Sequence, residues 1–433
     1  MEGSRLRLLD YQEELLFDTD AATHVAYYLD MGLGKTFVGA EKMRRLGNDV
    51  NLVVCQKSKV EDWVEHFQTY YPGYCVLDMT DNRKTAKQAR CDFWSNYEDW
   101  SVVPTVLVIN YELLWRRKEL RDLEHFTLML DESSLIQNEN AKRSKFVLGM
   151  KPDNVILLSG TPTGGKYERL WSQMRMLGWN IDKRVFYDQY IVSHFDDSLG
   201  FHRLVIDGYK NVDRLKFKMR LHGCRFLKTE EVMDLPDQIH QKKEVGTTKE
   251  YRTFLKSSVV KLGDELLVGD TPLTHMLRER QLCGMYNPAK LLSLMDIVDG
   301  TDDRIVIFYN FEDERWMIEA LLKSRGRPVS IVSGKRKDLE SYKTCSDSIT
   351  LIQYQAGAMG LNLQQANKIV YFTPPLSSEL FEQSKKRIHR VGQNRTCFYY
   401  YLVCKKSIEE RIYDALEMRK DYTERLFCDE TNG

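Results

Sequence analysis

At 433 residues the chain is too long for one compact core, and two or three domains are expected. Its 42% hydrophobic and 29% charged residues are ordinary for a soluble globular protein and exclude a disordered or fibrous chain. Lys plus Arg equals Asp plus Glu at 63 each, so net charge favours no polyanionic partner, and any phosphate binding must come from local patches.

No apolar run reaches the roughly 18 residues of a membrane helix, and "MEGSRLRLLDYQEELL" has no apolar signal core. Nine scattered cysteines form no Cys-x-x-Cys pair, which argues for reduced thiols in a cytoplasmic protein and against a zinc site. The first apolar strands are "VAYYLD" (25–30), "NLVVCQ" (51–56), "TVLVINY" (105–111), "TLMLDE" (127–132) and "NVILLSG" (154–160). Residues 165–300 read as mostly helical, with apolar spacings of three and four in "KNVDRLKFKMRLHGCRFLK" and "THMLRERQLCGMYNPAKLLSLMDIV". A second strand set follows: "RIVIFYN" (304–310), "VSIVSG" (329–334), "ITLIQYQ" (349–355), "KIVYFTP" (368–374) and "CFYYYLV" (397–403). Continuous apolar strands alternating with helices predict parallel sheets covered on both faces, hence two α/β domains. The expected boundaries are 1–165, a helical region 166–300, and 301–433.

"YYLDMGLGKTFVGA" follows the first strand and opens a helix. Gly32, Leu33 and Gly34 form a tight turn whose amides face phosphate, with the helix N-terminus adding positive potential. Lys35 is placed to reach the β- and γ-phosphates of a nucleotide such as ATP, and Thr36 to ligate Mg²⁺. The strict phosphate-loop pattern wants Gly where this chain has Leu29. "LMLDESS" ends the fourth strand with an acid pair, at the sheet end where open α/β folds bind ligands. Asp131 is expected to hold Mg²⁺ through water, and Glu132 to polarise an attacking water. Taken alone, the same string is also a good helix cap. "LLSGTPTGG" supplies small hydroxyls at the end of the fifth strand. Near the C-terminus, "RIHRVGQNR" sets Arg387 and Arg390 three apart, sharing a face if helical.

This ordered set resembles the Swi/Snf-type ATPases of helicase superfamily 2, in particular compact bacterial or phage members. "LDYQ" is similar to the adenine-reading element, with Gln12 in the key place; "DMGLGKT" resembles motif I and "NLVVCQKSKVEDWVEHF" motif Ia. "VLVINYELL", "DESSLIQNENAKRSK" and "LLSGTPTGGKYERLWSQM" resemble Ib, II and III. "QYQAGAMGLNLQQANKIVYF" is similar to V and "EQSKKRIHRVGQNR" to VI. The resemblance implies two RecA-like domains in tandem, with a helical insertion and with ATP and Mg²⁺ between them. It implies an ATPase that moves along duplex DNA, with Gly360 and Gln383 at the nucleotide and Arg387 and Arg390 at the γ-phosphate. Lys57, Asn110, Gln355 and Asn362 fall in the motifs that touch the nucleic-acid backbone. Two positions depart from the family: Leu29-Asp30-Met31 stands for Asp-Glu-Met, and Ser134 takes the place of a His. The absence of an appended reader domain makes a nucleosome remodeller an unexpected role. Other readings are a strand-separating helicase on DNA or RNA, a nucleic-acid-binding scaffold, and a motor for a nuclease or replication partner. A monomer suffices for all of them.

Overall fold

The structure is a computed structural model that describes residues 7–97, 103–196, 203–357 and 361–427. The chain forms two compact units, one built from the residues up to Met233 together with those from Tyr422 on, the other from Asp234–Asp421.

The first unit is built on β1 (His24–Leu29), β2 (Val50–Cys55), β3 (Cys75–Asp78), β4 (Thr105–Asn110), β5 (Phe126–Asp131), β6 (Asn154–Ser159) and β9 (Cys224–Leu227), with β7 (Ile191–Asp196) and β8 (Arg203–Tyr209) as a separate antiparallel hairpin. The sheet order is β3-β4-β2-β5-β6-β1-β9, and every pairing is parallel. All residues of β2, β4 and β6 are buried. Both faces are therefore covered, as the unbroken apolar runs require. Leu52 and Val54 face one apolar layer, while Val53 and Cys55 face the other with α1 (Asp10–Asp18), α2 (Lys35–Leu46) and α3 (Val60–Tyr70).

The second unit repeats this logic with another strand order. Its strands are β10 (Gln238–Val245), β13 (Ile305–Tyr309), β14 (Val329–Val332), β15 (Lys337–Asp338), β16 (Ile349–Gln353), β17 (Lys368–Tyr371) and β18 (Cys397–Cys404), plus a β11 (Val259–Leu262)–β12 (Glu265–Val268) hairpin. The order is β10-β18-β17-β13-β16-β14-β15, parallel except for β14–β15. The expected fold class, two parallel-sheet α/β domains following one another in the chain, is the one observed.

The stretch 166–300 differs from its mostly helical reading. It supplies two hairpins and an edge strand to each sheet, and it is divided between the units at Met233. The basic run 214–228 is helical only to Leu221. Gly223 then turns the chain with a φ of 81°, and a Cβ there would lie 2.2 Å from the His24 carbonyl oxygen. Only glycine lets β9 start so close to β1. Among the described residues, no helix is long and apolar enough to cross a membrane.

Candidate nucleotide site

Parallel pairing brings the carboxyl ends of the first unit's strands to one edge. Tyr28 aligns with Ser159, Leu158 with Asp131, Leu130 with Val54, and Cys55 with Asn110. The loops carrying Gly32–Thr36, Lys57, Asn110, Asp131–Glu132 and Ser159–Thr161 therefore all leave from that edge, where open α/β sheets take ligands.

Gly32 (φ 95°) and Gly34 (φ 70°) adopt left-handed backbone, and Gly34 is the N-cap of α2. A Cβ on Gly34 would also lie 2.4 Å from Gln12 Nε2. Gln12, 4% exposed, donates from Nε2 to the Leu33 carbonyl at 3.1 Å and accepts from Leu9 N at 3.0 Å. Tyr11 Oη donates to the same Leu33 carbonyl at 3.1 Å. Helix α1 thus braces the turn directly. Its own end is fixed to α2 by the buried Lys42, whose Nζ donates to Thr19 O at 2.6 Å and Asp20 O at 3.0 Å. Lys35 Nζ donates to the carbonyls of Leu29 (2.9 Å) and Asp30 (3.3 Å) and lies beside Gly160. The Asp30 that departs from the family pattern accepts from Thr229 N and Oγ1, both at 3.2 Å, tying the segment after β9 to the loop.

Asp131 Oδ2 accepts from Trp63 Nε1 at 2.9 Å, and Trp63 is itself 2% exposed. Burial pushes the Asp131 carboxyl above its ordinary range, while the Trp63 hydrogen bond and the Lys35 charge act the other way. A carboxylate here and the Thr36 hydroxyl at the start of α2 are hard oxygen donors, the set that suits Mg²⁺. Glu132 is the N-cap of a short 3₁₀ turn with φ 52° and ψ 59°. A left-handed non-glycine residue of this kind costs about 1–3 kcal/mol and persists only where its surroundings hold it. Tyr111 Oη holds it by donating to Asp131 O at 2.9 Å, and also lies 3.5 Å from Glu132 O. Ser159 Oγ donates to Glu132 Oε2 at 3.4 Å. Ser134, in the place of the usual His, is buried.

Of the residues expected at a nucleic-acid backbone, Lys57 is exposed just beyond β2, and Gln355 and Asn362 are exposed in the second unit. Asn110 is 2% exposed and donates from Nδ2 to Glu112 Oε2 at 2.6 Å within its own loop. Gly360 lies outside the described residues. Gln383 is buried on the helix Ser378–Lys385 and donates to Glu379 at 3.4 Å.

That helix stops at Lys385, so Arg387 and Arg390 sit in successive turns and not on one helical face. Gln393, 5% exposed, fastens the loop that follows. Its Nε2 reaches the carbonyls of Gln364 (3.1 Å), Ala366 (2.8 Å) and Ile388 (3.2 Å), and its Oε1 accepts from Asn394 N and Arg395 N. Gly392, at φ 90°, lets the chain turn just before it. Leu363 N donates to Arg387 O at 3.1 Å, completing the tie between this loop and residues 361–366. Lys385 pairs with Glu382 and Arg395 with Asp303; Arg387 is buried, and burial lowers the Arg390 pKa. Gln393 was missed from the sequence; the signal was a glycine and an amide interrupting a basic run.

The SNF2-related domain family matches residues 29–286, and the helicase conserved C-terminal domain matches residues 289–392. The chain is 24% identical over 464 residues to the putative ATP-dependent helicase/translocase YwqA of Bacillus subtilis, covering 96% of this chain and 48% of that protein. It is 22% identical over 435 residues to the mouse SWI/SNF-related matrix-associated actin-dependent regulator of chromatin subfamily A member 1, covering 90% and 40%. It thus spans about half or less of the length of these relatives. Among solved structures it is similar to the Sulfolobus solfataricus SWI2/SNF2 ATPase core in complex with dsDNA, at 20% identity and a TM-score of 0.45, covering 98% of this chain and 93% of that one. With one family matching more than half of its residues, and the phosphate loop and acid pair lying within that match, the chain belongs to the SNF2-related domain family.

Proposed function

We propose that this protein is a nucleic-acid-dependent ATPase that couples ATP hydrolysis to movement along duplex DNA. The observation that carries the reading is the convergence of the Gly32–Thr36 turn, Lys35 and the Asp131–Glu132 pair on one sheet edge. Lys35 and the turn amides bind the β- and γ-phosphates, and Gln12 supports the turn against the base end of the nucleotide. Thr36 and Asp131 would hold Mg²⁺, which when bound neutralises charge on the phosphates. Glu132 orients the attacking water, since phosphoryl transfer depends on positioning and charge stabilisation. In the same reading Arg387 and Arg390 stabilise charge on the transferring γ-phosphoryl, as arginines do in other nucleotide hydrolases. Lys57, Gln355 and Asn362 contact the DNA backbone, giving affinity without sequence reading. Support comes from the family assignment and from the relative named as a helicase/translocase.

The test is ATP hydrolysis measured with no polymer, single strands, duplex DNA and RNA. Stimulation by duplex, followed by triplex displacement without unwinding of a forked duplex, is the expected result. Hydrolysis indifferent to every polymer sinks the reading. Lys35→Ala should lose nucleotide binding, and Glu132→Gln should bind ATP without turning it over.

A further inference from the structure

Gln173 lies on the short helix Trp171–Met176, inside the stretch likened to motif III but at none of the site positions named above, and is fully buried. Its side chain joins three segments of the nucleotide edge. Nε2 donates to Pro162 O at 2.8 Å, and Oε1 accepts from Tyr28 Oη at 2.9 Å and Ser133 Oγ at 2.8 Å. The amide cannot be turned over, because the Pro162 carbonyl can only accept. Both hydroxyls must then donate to Oε1, filling its two lone pairs. Tyr28 and Ser133 are also fully buried, so water has no place in the network.

Each partner sits beside a residue of the proposed chemistry. Tyr28 precedes Leu29, whose carbonyl accepts from Lys35. Ser133 follows Glu132. Pro162 closes the turn that starts at Ser159, whose hydroxyl touches the Glu132 carboxylate. Tyr111 anchors the left-handed Glu132 by the carbonyls around it; on the following residue the anchor is Gln173. Gln12, Lys35 and Thr36, which would bind nucleotide, make no bond to Gln173 in this network.

We infer that Gln173 is a positioning residue that fixes the Glu132 carboxylate relative to the phosphate loop, through Ser133, Tyr28 and Pro162. The inference rests on the ATPase reading above. Its signature is a fall in turnover with nucleotide affinity preserved, because displacing a catalytic group by about an ångström can cost as much as 100-fold.

The experiment uses the full chain with saturating duplex DNA. It compares wild type with Gln173→Met, Ser133→Ala, Tyr28→Phe and the Ser133→Ala/Gln173→Met double variant. Turnover is expressed per nucleotide-binding site, counted by titration with a fluorescent ADP analogue, so that loss of folded protein is divided out. Gln173→Met is expected to lose about tenfold or more in kcat with the KM for ATP within about twofold. Ser133→Ala removes one donor only, is mild enough to fold, and should lose several-fold. The double variant should be no worse than Gln173→Met alone, as for residues acting through one link. Unchanged kcat per site in Ser133→Ala and Gln173→Met, with only a lower melting temperature, would overturn the inference and leave Gln173 as packing. A wild type that hydrolyses no ATP under any condition fails the functional reading itself, and this inference with it.

Discussion

Replacing Trp63 by Phe removes one hydrogen bond and keeps most of the ring. The lost bond is Nε1–H to Asp131 Oδ2 at 2.9 Å, in a setting where Trp63 is 2% exposed. Phe preserves a ring for the stack on Phe67 and the edge contact with His66. A hydrogen bond to a charged group is worth about 1.5–3 kcal/mol, which at about 1.4 kcal/mol per decade is roughly 10- to 150-fold. The carboxylate freed by the change is the one assigned to Mg²⁺, so the loss should fall on metal-dependent nucleotide binding. The assay is Mg²⁺ titration of ADP binding by calorimetry, together with kcat/KM at limiting and saturating Mg²⁺. Trp63→Phe should need about tenfold or more Mg²⁺ for half-maximal binding and should recover part of its activity at saturating metal. Unchanged Mg²⁺ dependence, with only a lower melting temperature, refutes the assignment of Asp131 as the carboxylate that Trp63 orients.

Arg390→Ala should lose about 10³-fold or more in turnover at saturating duplex, the scale of arginine effects in other nucleotide hydrolases. Duplex affinity without nucleotide should stay near wild type by anisotropy; the reverse pattern would make the run a polymer patch. Glu314 is buried, and burial raises its pKa to about 7. Its folded pKa lies above its unfolded one, so the stability it contributes is present below about pH 4.5 and is lost as pH rises to about 7. Glu314→Gln should flatten that slope and stabilise the protein by about 3 kcal/mol at pH 8, read from urea midpoints across pH. Gln393→Leu removes its bonds to the Gln364, Ala366 and Ile388 carbonyls, costing about 2–4 kcal/mol of stability as read from denaturant midpoints. It should also lower turnover by releasing the arginine loop, whereas turnover at the wild-type level would show that this loop needs no such brace.

Where the candidate site lies within one local stretch, the residue types point to it. Gly32 and Gly34 permit the left-handed backbone that the turn adopts, and Asp131 and Glu132 end an apolar strand; both facts are written in adjacent letters. The core strands were equally plain, because burial on both faces demands unbroken apolar runs. Edge strands were not. β10, "QIHQKKEV", has no fully buried residue and reads as a polar segment. The helical reading of Arg387 and Arg390 failed because the helix ends at Lys385, and the loop beyond it is fastened by Gln393 to a carbonyl 29 residues away, which spacing cannot reveal. Gln173 escaped for the same reason, its partners lying 145, 40 and 11 residues distant.

The sheet order also decides when the phosphate loop can exist during synthesis. β1 precedes β2 in the chain, yet its neighbours are β6, ending at Ser159, and β9, ending at Leu227. At about 5–20 residues per second, β1 waits of the order of 6–26 s for its first partner and longer for its second. Throughout that interval an apolar strand with two bare edges is open to mispairing. β2, made after it, meets β4 much sooner. On this order the β2–β4 pairing becomes available well before either pairing of β1. A fragment that stops before β6 leaves "HVAYYL" without a partner on either side, so the loop it carries cannot be studied as an isolated N-terminal piece.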